Sequence, residues 1–203
     1  YNISPVMSSI FMTIFGVPCA IIGAMASGKL SDRLGTKNIK YRVILIVSSL
    51  FAILVSVIIF FALPLPSLTQ QEGNTLVVLL RYPMLWILCL MIFILRAVIG
   101  IYNINQNPIL QAVNLPEAQG QVMAFGQFLE TISMGLGPLV AGILLAANGG
   151  DYFITSVILC LLGLPGPILW LFSLKTINKD QIRVQEILKN RVNELKSTSL
   201  DKS

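Results

Sequence analysis

Residues 28–38 read GKLSDRLGTKN and stand between two runs of residues long and oily enough to cross a lipid bilayer. With Lys40 and Arg42 just beyond, the stretch gathers the positive side chains of Lys29, Arg33 and Lys37 around one negative group, Asp32. A chain that leaves one apolar run and enters the next this soon must turn back on itself. Gly28 is expected to let a helix end approach a neighbour closely, and Gly35 to permit a tight turn with positive φ. Asp32 is placed to cap a following turn or meet the positive end of a neighbouring helix, while Arg33 and Lys37 can pair with carboxylates or helix C-termini. Connections this rich in lysine and arginine stay on the cytoplasmic side of a membrane.

The rest of the chain agrees with a bilayer as solvent. Of 203 residues, 55% are hydrophobic and only 11% charged, and the mean hydropathy is +0.81. That leaves too few polar groups to coat a soluble domain of this size. A helix needs about 20 mostly apolar residues to cross the hydrocarbon layer. Five stretches qualify, at about 6–27, 42–63, 84–104, 121–147 and 152–174. The fold class expected is therefore an all-α transmembrane bundle, because a barrel would need short segments that alternate between apolar and polar. The second and fifth stretches are nearly pure hydrocarbon, as lipid-facing helices would be. The first, third and fourth carry Gly, Ser, Thr, Pro, Asn or charge and suit helices packed against protein or facing water.

Orientation follows from the positive residues. The connection around residues 28–42 and the tail from 176 to 203, with Lys179, Arg183, Lys189, Arg191, Lys196 and Lys202, are expected in the cytoplasm. The connection at 64–83 holds only Arg81, and that at 148–151 holds none, so both are expected outside. The first residue then starts outside and the C-terminus ends in the cytoplasm, in a multi-pass protein of the plasma membrane. Ile187, Leu188, Val192 and Leu195 fall at helical spacing among the tail's basic residues, which fits either a solvated helix or one lying on an anionic membrane surface.

Several functions are disfavoured at this level. The net charge of +5 comes from residues at the ends of apolar runs, without interleaved aromatics to stack on bases, so nucleic acid is not an expected partner. Cys19, Cys89 and Cys160 each sit within an apolar run and read as small buried hydrophobes. The chain has no histidine, which argues against zinc and triad chemistry. Neither a metal nor a cofactor is expected, and the chain is not read as an enzyme. It begins at Tyr1, inside an apolar approach without a signal-peptide pattern, and is expected to be a fragment.

The pattern G-x-x-x-D-R-x-G with a basic residue two positions later, carried by Gly28, Asp32, Arg33, Gly35 and Lys37, resembles the loop signature of the major facilitator superfamily. That resemblance implies a cytoplasmic latch which holds helices together in the outward-facing state. Thr36 and Asn38 flank a single Lys37 where the family usually shows two or three basic residues, which implies a weaker latch. RAVIG at 96–100 resembles the family's arginine-glycine motif, and GLGPLVAG at 135–142 its glycine-proline motif. Residues 107–121 resemble a connection that often reads P-E-x-R-G, with Gln119 in the arginine position. In the family the latch follows the second helix of a six-helix half, and four helices should follow it, as they do here. The chain thus looks like helices eight to twelve, in the C-terminal half, with the N-terminal half as the rival assignment. The implied function is secondary active transport of a small solute by alternating access. The implied partners are the lipid bilayer, a small-molecule substrate and the remaining helices of the same transporter. The competing reading is a non-transporting integral membrane subunit or receptor.

Arg96 and Glu130 are the ionisable residues well inside the expected spans, and each alone at that depth costs a few kcal/mol or more. Counted from ends near Ile104 and Gln121, both lie about 12 to 14 Å deep at 1.5 Å per residue. The sequence thus predicts an Arg96–Glu130 ion pair, with a role in substrate binding, in proton coupling or in structure. Asn103 and Gln106, in a cluster with Asn105 and Asn107, are candidates for the inner mouth of a cavity. Gly135, Gly137, Pro138 and Gly142 put small residues and a possible bend into the fourth helix, as a flexing or close-packing element.

Overall fold

The computed structural model describes residues 4–64, 68–69, 71–75, 78 and 81–200; Tyr1, Lys202 and part of the 64–83 connection lie outside them. Among the described residues every regular element is helical. Helix α1 spans Pro5–Gly35, α2 Ile39–Ala62, α3 Pro83–Val113 and α4 Pro116–Ala147. Helix α5 spans Tyr152–Gly163 and α6 Pro165–Leu200. Five segments are long and apolar enough to cross a membrane, α5 and α6 joining across Leu164 to make the fifth.

The starts of these helices are written in the sequence. Pro5, Pro83, Pro116 and Pro165 open α1, α3, α4 and α6, where a missing N–H costs nothing and the fixed φ is already helical. The other two have side-chain caps. Asn38 Oδ1 accepts from Lys40 N at 2.9 Å to start α2, and Asp151 Oδ1 accepts from Ile154 N at 2.9 Å to start α5. Between α4 and α5 the chain reverses through Gly149 and Gly150, whose φ angles of 64° and 85° exclude most other residues.

Two apolar clusters hold the bundle. At the end of the bundle that holds the 28–38 turn, Ile39, Val43, Ile46 and Val47 of α2 meet Ile109 of α3 and Ile177 of α6. Toward the opposite end Phe11 of α1 meets Leu85, Leu88 and Cys89 of α3, with Leu68 of the connection folded over them. That connection is pinned by Glu72, whose carboxylate accepts from Thr69 N at 2.8 Å, Thr69 Oγ1 at 2.7 Å and Tyr82 Oη at 3.0 Å. These bonds hold Glu72 below the usual carboxylate range, those from Thr69 first, and the same contact raises the Tyr82 phenol.

One expectation about packing is corrected. Helix α2, the oiliest run and expected at the lipid-facing edge, supplies much of the buried core, with Val43 and Ile46 fully covered. Helix α4, expected to pack against protein or to face water, has no residue buried within this chain. Oiliness reports how apolar a helix is but not which apolar surface it meets. The ends also move: α3 continues to Val113 and α4 starts at Pro116, so the connection expected over 105–119 is only Asn114 and Leu115. The charged tail is the unbroken continuation of α6.

Candidate functional site

The turn between α1 and α2 is built around one ion pair. Arg42 Nη2, from the first turn of α2, donates to Asp32 Oδ1 on α1 at 3.0 Å. The Arg42 guanidinium lies across Gly35, so close that a side-chain carbon there would collide with its Nε. Gly35 therefore serves by its smallness. It has no positive φ, contrary to the expectation from sequence. Gly28 also departs from expectation: a Cβ there would meet only Ile104 Cδ1, at 4.0 Å, an ordinary contact. Arg33 and Lys37 are exposed on the outside of the turn. The second terminal nitrogen of Arg42, Nη1, is buried without an acceptor, and Asn178 Oδ1 on α6 is buried without a donor. A buried polar atom left unpaired costs about 1–3 kcal/mol.

Close approach happens higher up, between α1 and α3. A Cβ at Gly23 would stand 2.5 Å from Ala97 Cα and one at Gly100 3.3 Å from Ala24 N. With Gly16, Ala20, Ser27 and Ser31 these positions form a small-residue stripe on α1 at helical spacing, the pattern by which helices meet closely in lipid. At the end of the stripe nearest the 28–38 turn Ser31 Oγ donates to Asn105 Oδ1 at 2.5 Å, and Asn105 Nδ2 donates to Ile101 O at 2.8 Å. Both side chains are fully buried. Asn105 is thus a packed hydrogen-bonding residue, whereas Asn103 and Asn107 are exposed. The stripe was available in the sequence as small residues recurring every three or four positions, but the expected site residues did not include it. An open apolar notch of about 240 Å³ lies beside it, lined by Gly23, Ser27, Leu45 and Ala97 among others.

The expected Arg96–Glu130 ion pair does not form. Glu130 Oε1 instead accepts from Gln106 Nε2 at 3.2 Å. Arg96 lies ten residues N-terminal to Gln106 on α3, about 15 Å along the axis and roughly 80° around it. The depth count took Ile104 and Gln121 as helix ends, whereas the helices reach Val113 and Pro116, and it took no account of the face from which each side chain leaves its helix. Arg96 faces α1, where its Nε is 3.6 Å from the position a Cβ would take at Gly16. Gly16 closes a wide π-helical turn, Met12–Gly16, within α1. The glycines of α4, Gly135, Gly137 and Gly142, have nothing of this chain within 4 Å of a would-be Cβ, and the helix runs on through Pro138.

A second ion pair ties the tail to the first turn of α4. Arg191 Nη2 donates to Glu117 Oε1 at 2.7 Å. The pair holds the Glu117 carboxyl below its ordinary range, the Arg191 bond being the largest cause, and raises Arg191. Gln119, standing where the resemblance predicts arginine, donates to Gln111 O at 3.0 Å and Asn114 O at 3.2 Å and so closes the short connection. Among the described residues no group of three or more His, Cys, Asp or Glu side chains could hold a metal ion.

No curated protein and no solved structure gives a match. A family model does: the Major Facilitator Superfamily matches residues 1–199, nearly the whole chain. Five membrane-length helices, the acidic-basic turn closed over a glycine between the first two, and that match agree: the chain belongs to the major facilitator superfamily of membrane transporters.

Proposed function

We propose that the chain forms most of the C-terminal half of a secondary active transporter that moves a small solute across the plasma membrane by alternating access. Two halves rock about a site near the midplane, and the missing helices come from the remainder of the same protein. The observation that carries this reading is the Asp32–Arg42 pair seated on Gly35. It makes the turn a rigid, charged fitting at the cytoplasmic mouth. Arg33 and Lys37 extend outward from it. These are donors for carboxylates of the companion half, as a latch requires. The open small-residue face of α4, with Gly135, Gly137, Pro138 and Gly142, is the surface on which that half slides. Glu130 with Gln106, and Asn103 nearer the cytoplasm, border the solute path.

The test is solute exchange by the full-length protein in liposomes. Gly35→Ala pushes Arg42 off Asp32 and should slow exchange several-fold, with Asp32→Asn producing a similar loss. Both variants exchanging at the wild-type rate would remove the latch from the account.

A further inference from the structure

Arg96 stands about 20 Å from the start of α3 and about 25 Å from its end at 1.5 Å per residue. That places it near the centre of a hydrocarbon layer about 30 Å thick. A positive charge at this depth costs a few kcal/mol or more and persists where something repays it. Among the described residues nothing does so. Glu130 is engaged by Gln106 about 15 Å away. Asp32, Glu72, Glu117 and Asp151 lie at helix ends or in connections, and Asp180, Glu186 and Glu194 lie in the tail extension of α6. Among the described residues no hydrogen-bond acceptor meets the guanidinium, which is only partly covered.

The backbone opposite is shaped for it. The π-helical turn Met12–Gly16 inserts extra backbone into α1, a feature frequent at functional sites. It ends on Gly16, whose lack of a side chain leaves room for the Arg96 stem, with Nε and Cγ at 3.6 and 3.8 Å from a would-be Cβ. Arg96 is only partly covered, and its planar guanidinium is the group that binds carboxylate or phosphate through two parallel hydrogen bonds.

We infer that Arg96, seated on the wide turn at residues 12–16, binds the anionic group of the transported solute, a carboxylate or a phosphate. This rests on the transporter reading above and narrows its substrate to anions. The experiment is a thermal-unfolding series on the purified full-length protein with four probes of one chain length: octanoate, octyl phosphate, octylammonium and octanol. A ligand of the folded state raises Tm by mass action. Octanoate, octyl phosphate or both should raise Tm, and whichever does so more strongly identifies the anion. Octylammonium and octanol should not raise it. Arg96→Gln should raise the anion concentration required by about tenfold or more, Arg96→Lys should retain part of the effect, and Asp180→Asn, exposed in the tail, should leave it unchanged. Equal stabilisation by octylammonium and the anions overturns the site without need of any variant, and so does full anion stabilisation in Arg96→Gln. Liposome exchange separates the two readings. Exchange of a neutral or cationic solute that Arg96→Gln leaves intact removes the anion site and keeps the transporter. Anion stabilisation that depends on Arg96, without exchange of any solute, keeps the site and removes the transporter.

Discussion

Asn105 illustrates how a polar residue is kept inside a bilayer. It has no exposed surface, and its amide is used twice, as acceptor from Ser31 and as donor to Ile101 O. Asn105→Ala would strand a buried hydroxyl and open a void, so it should cost about 1–3 kcal/mol of stability, seen as a lower midpoint of thermal unfolding in detergent. Two of the glycines of α1 should respond in opposite ways in the same assay. Gly23→Ala drives a methyl into the Ala97 backbone and should destabilise by about 1–3 kcal/mol. Gly28→Ala makes only an ordinary contact with Ile104 and should be neutral or stabilising by up to about 1 kcal/mol, since alanine is the better helix former. A neutral Gly23→Ala would mean that α1 and α3 do not touch there. Composition marked Arg96 and Glu130 as unusual because charge is rare in apolar runs. Whether they met depended on the face from which each side chain leaves its helix and on helix ends nine residues beyond Ile104 and five before Gln121, and the polar run at 103–107 concealed the first of these ends.

At the scale of helices, the five spans were legible because each is a continuous apolar run, and the turn at residues 28–38 because its charges stand alone between two of them. Packing was less so, for a reason visible in α2 and α4. The seam between α1 and α3 is made of small residues, which carry little hydropathy signal, and α4 displays its small residues to no helix of this chain. The tail was legible as charged but not as docked, because its ion pair, Arg191 with Glu117, joins residues 74 apart in sequence. That contact should respond to pH in a defined direction. Glu117 is held below its ordinary value of 4.5, so the pair contributes fully above that pH and is lost as pH falls through the lowered value. Spin labels at Gln121 and Asn190 in the full-length protein should report a constant distance from pH 8 to about 5 and a broadened, longer one only below about 4.5. Glu117→Gln should give the broad distribution at every pH, and high salt should weaken the contact because both partners are exposed. A distance that already broadens at pH 6, or never changes, would detach the tail from α4.

For the molecule as a whole, membership of the superfamily and the threading of five helices through lipid support each other. The latch, the close seam between α1 and α3 and the charge at Arg96 have their proposed roles only if the turn at residues 28–38 faces the cytoplasm and the Gly149–Gly150 reversal faces outward. The most direct measurement uses full-length protein with its native cysteines replaced, a single cysteine placed at Lys37 or at Gly149, and a membrane-impermeant maleimide applied to intact cells. The account predicts that the cysteine at 149 is labelled from outside at once, and that the cysteine at 37 is labelled only after the membrane is permeabilised. Prompt labelling at 37 in intact cells, with 149 protected, would contradict it.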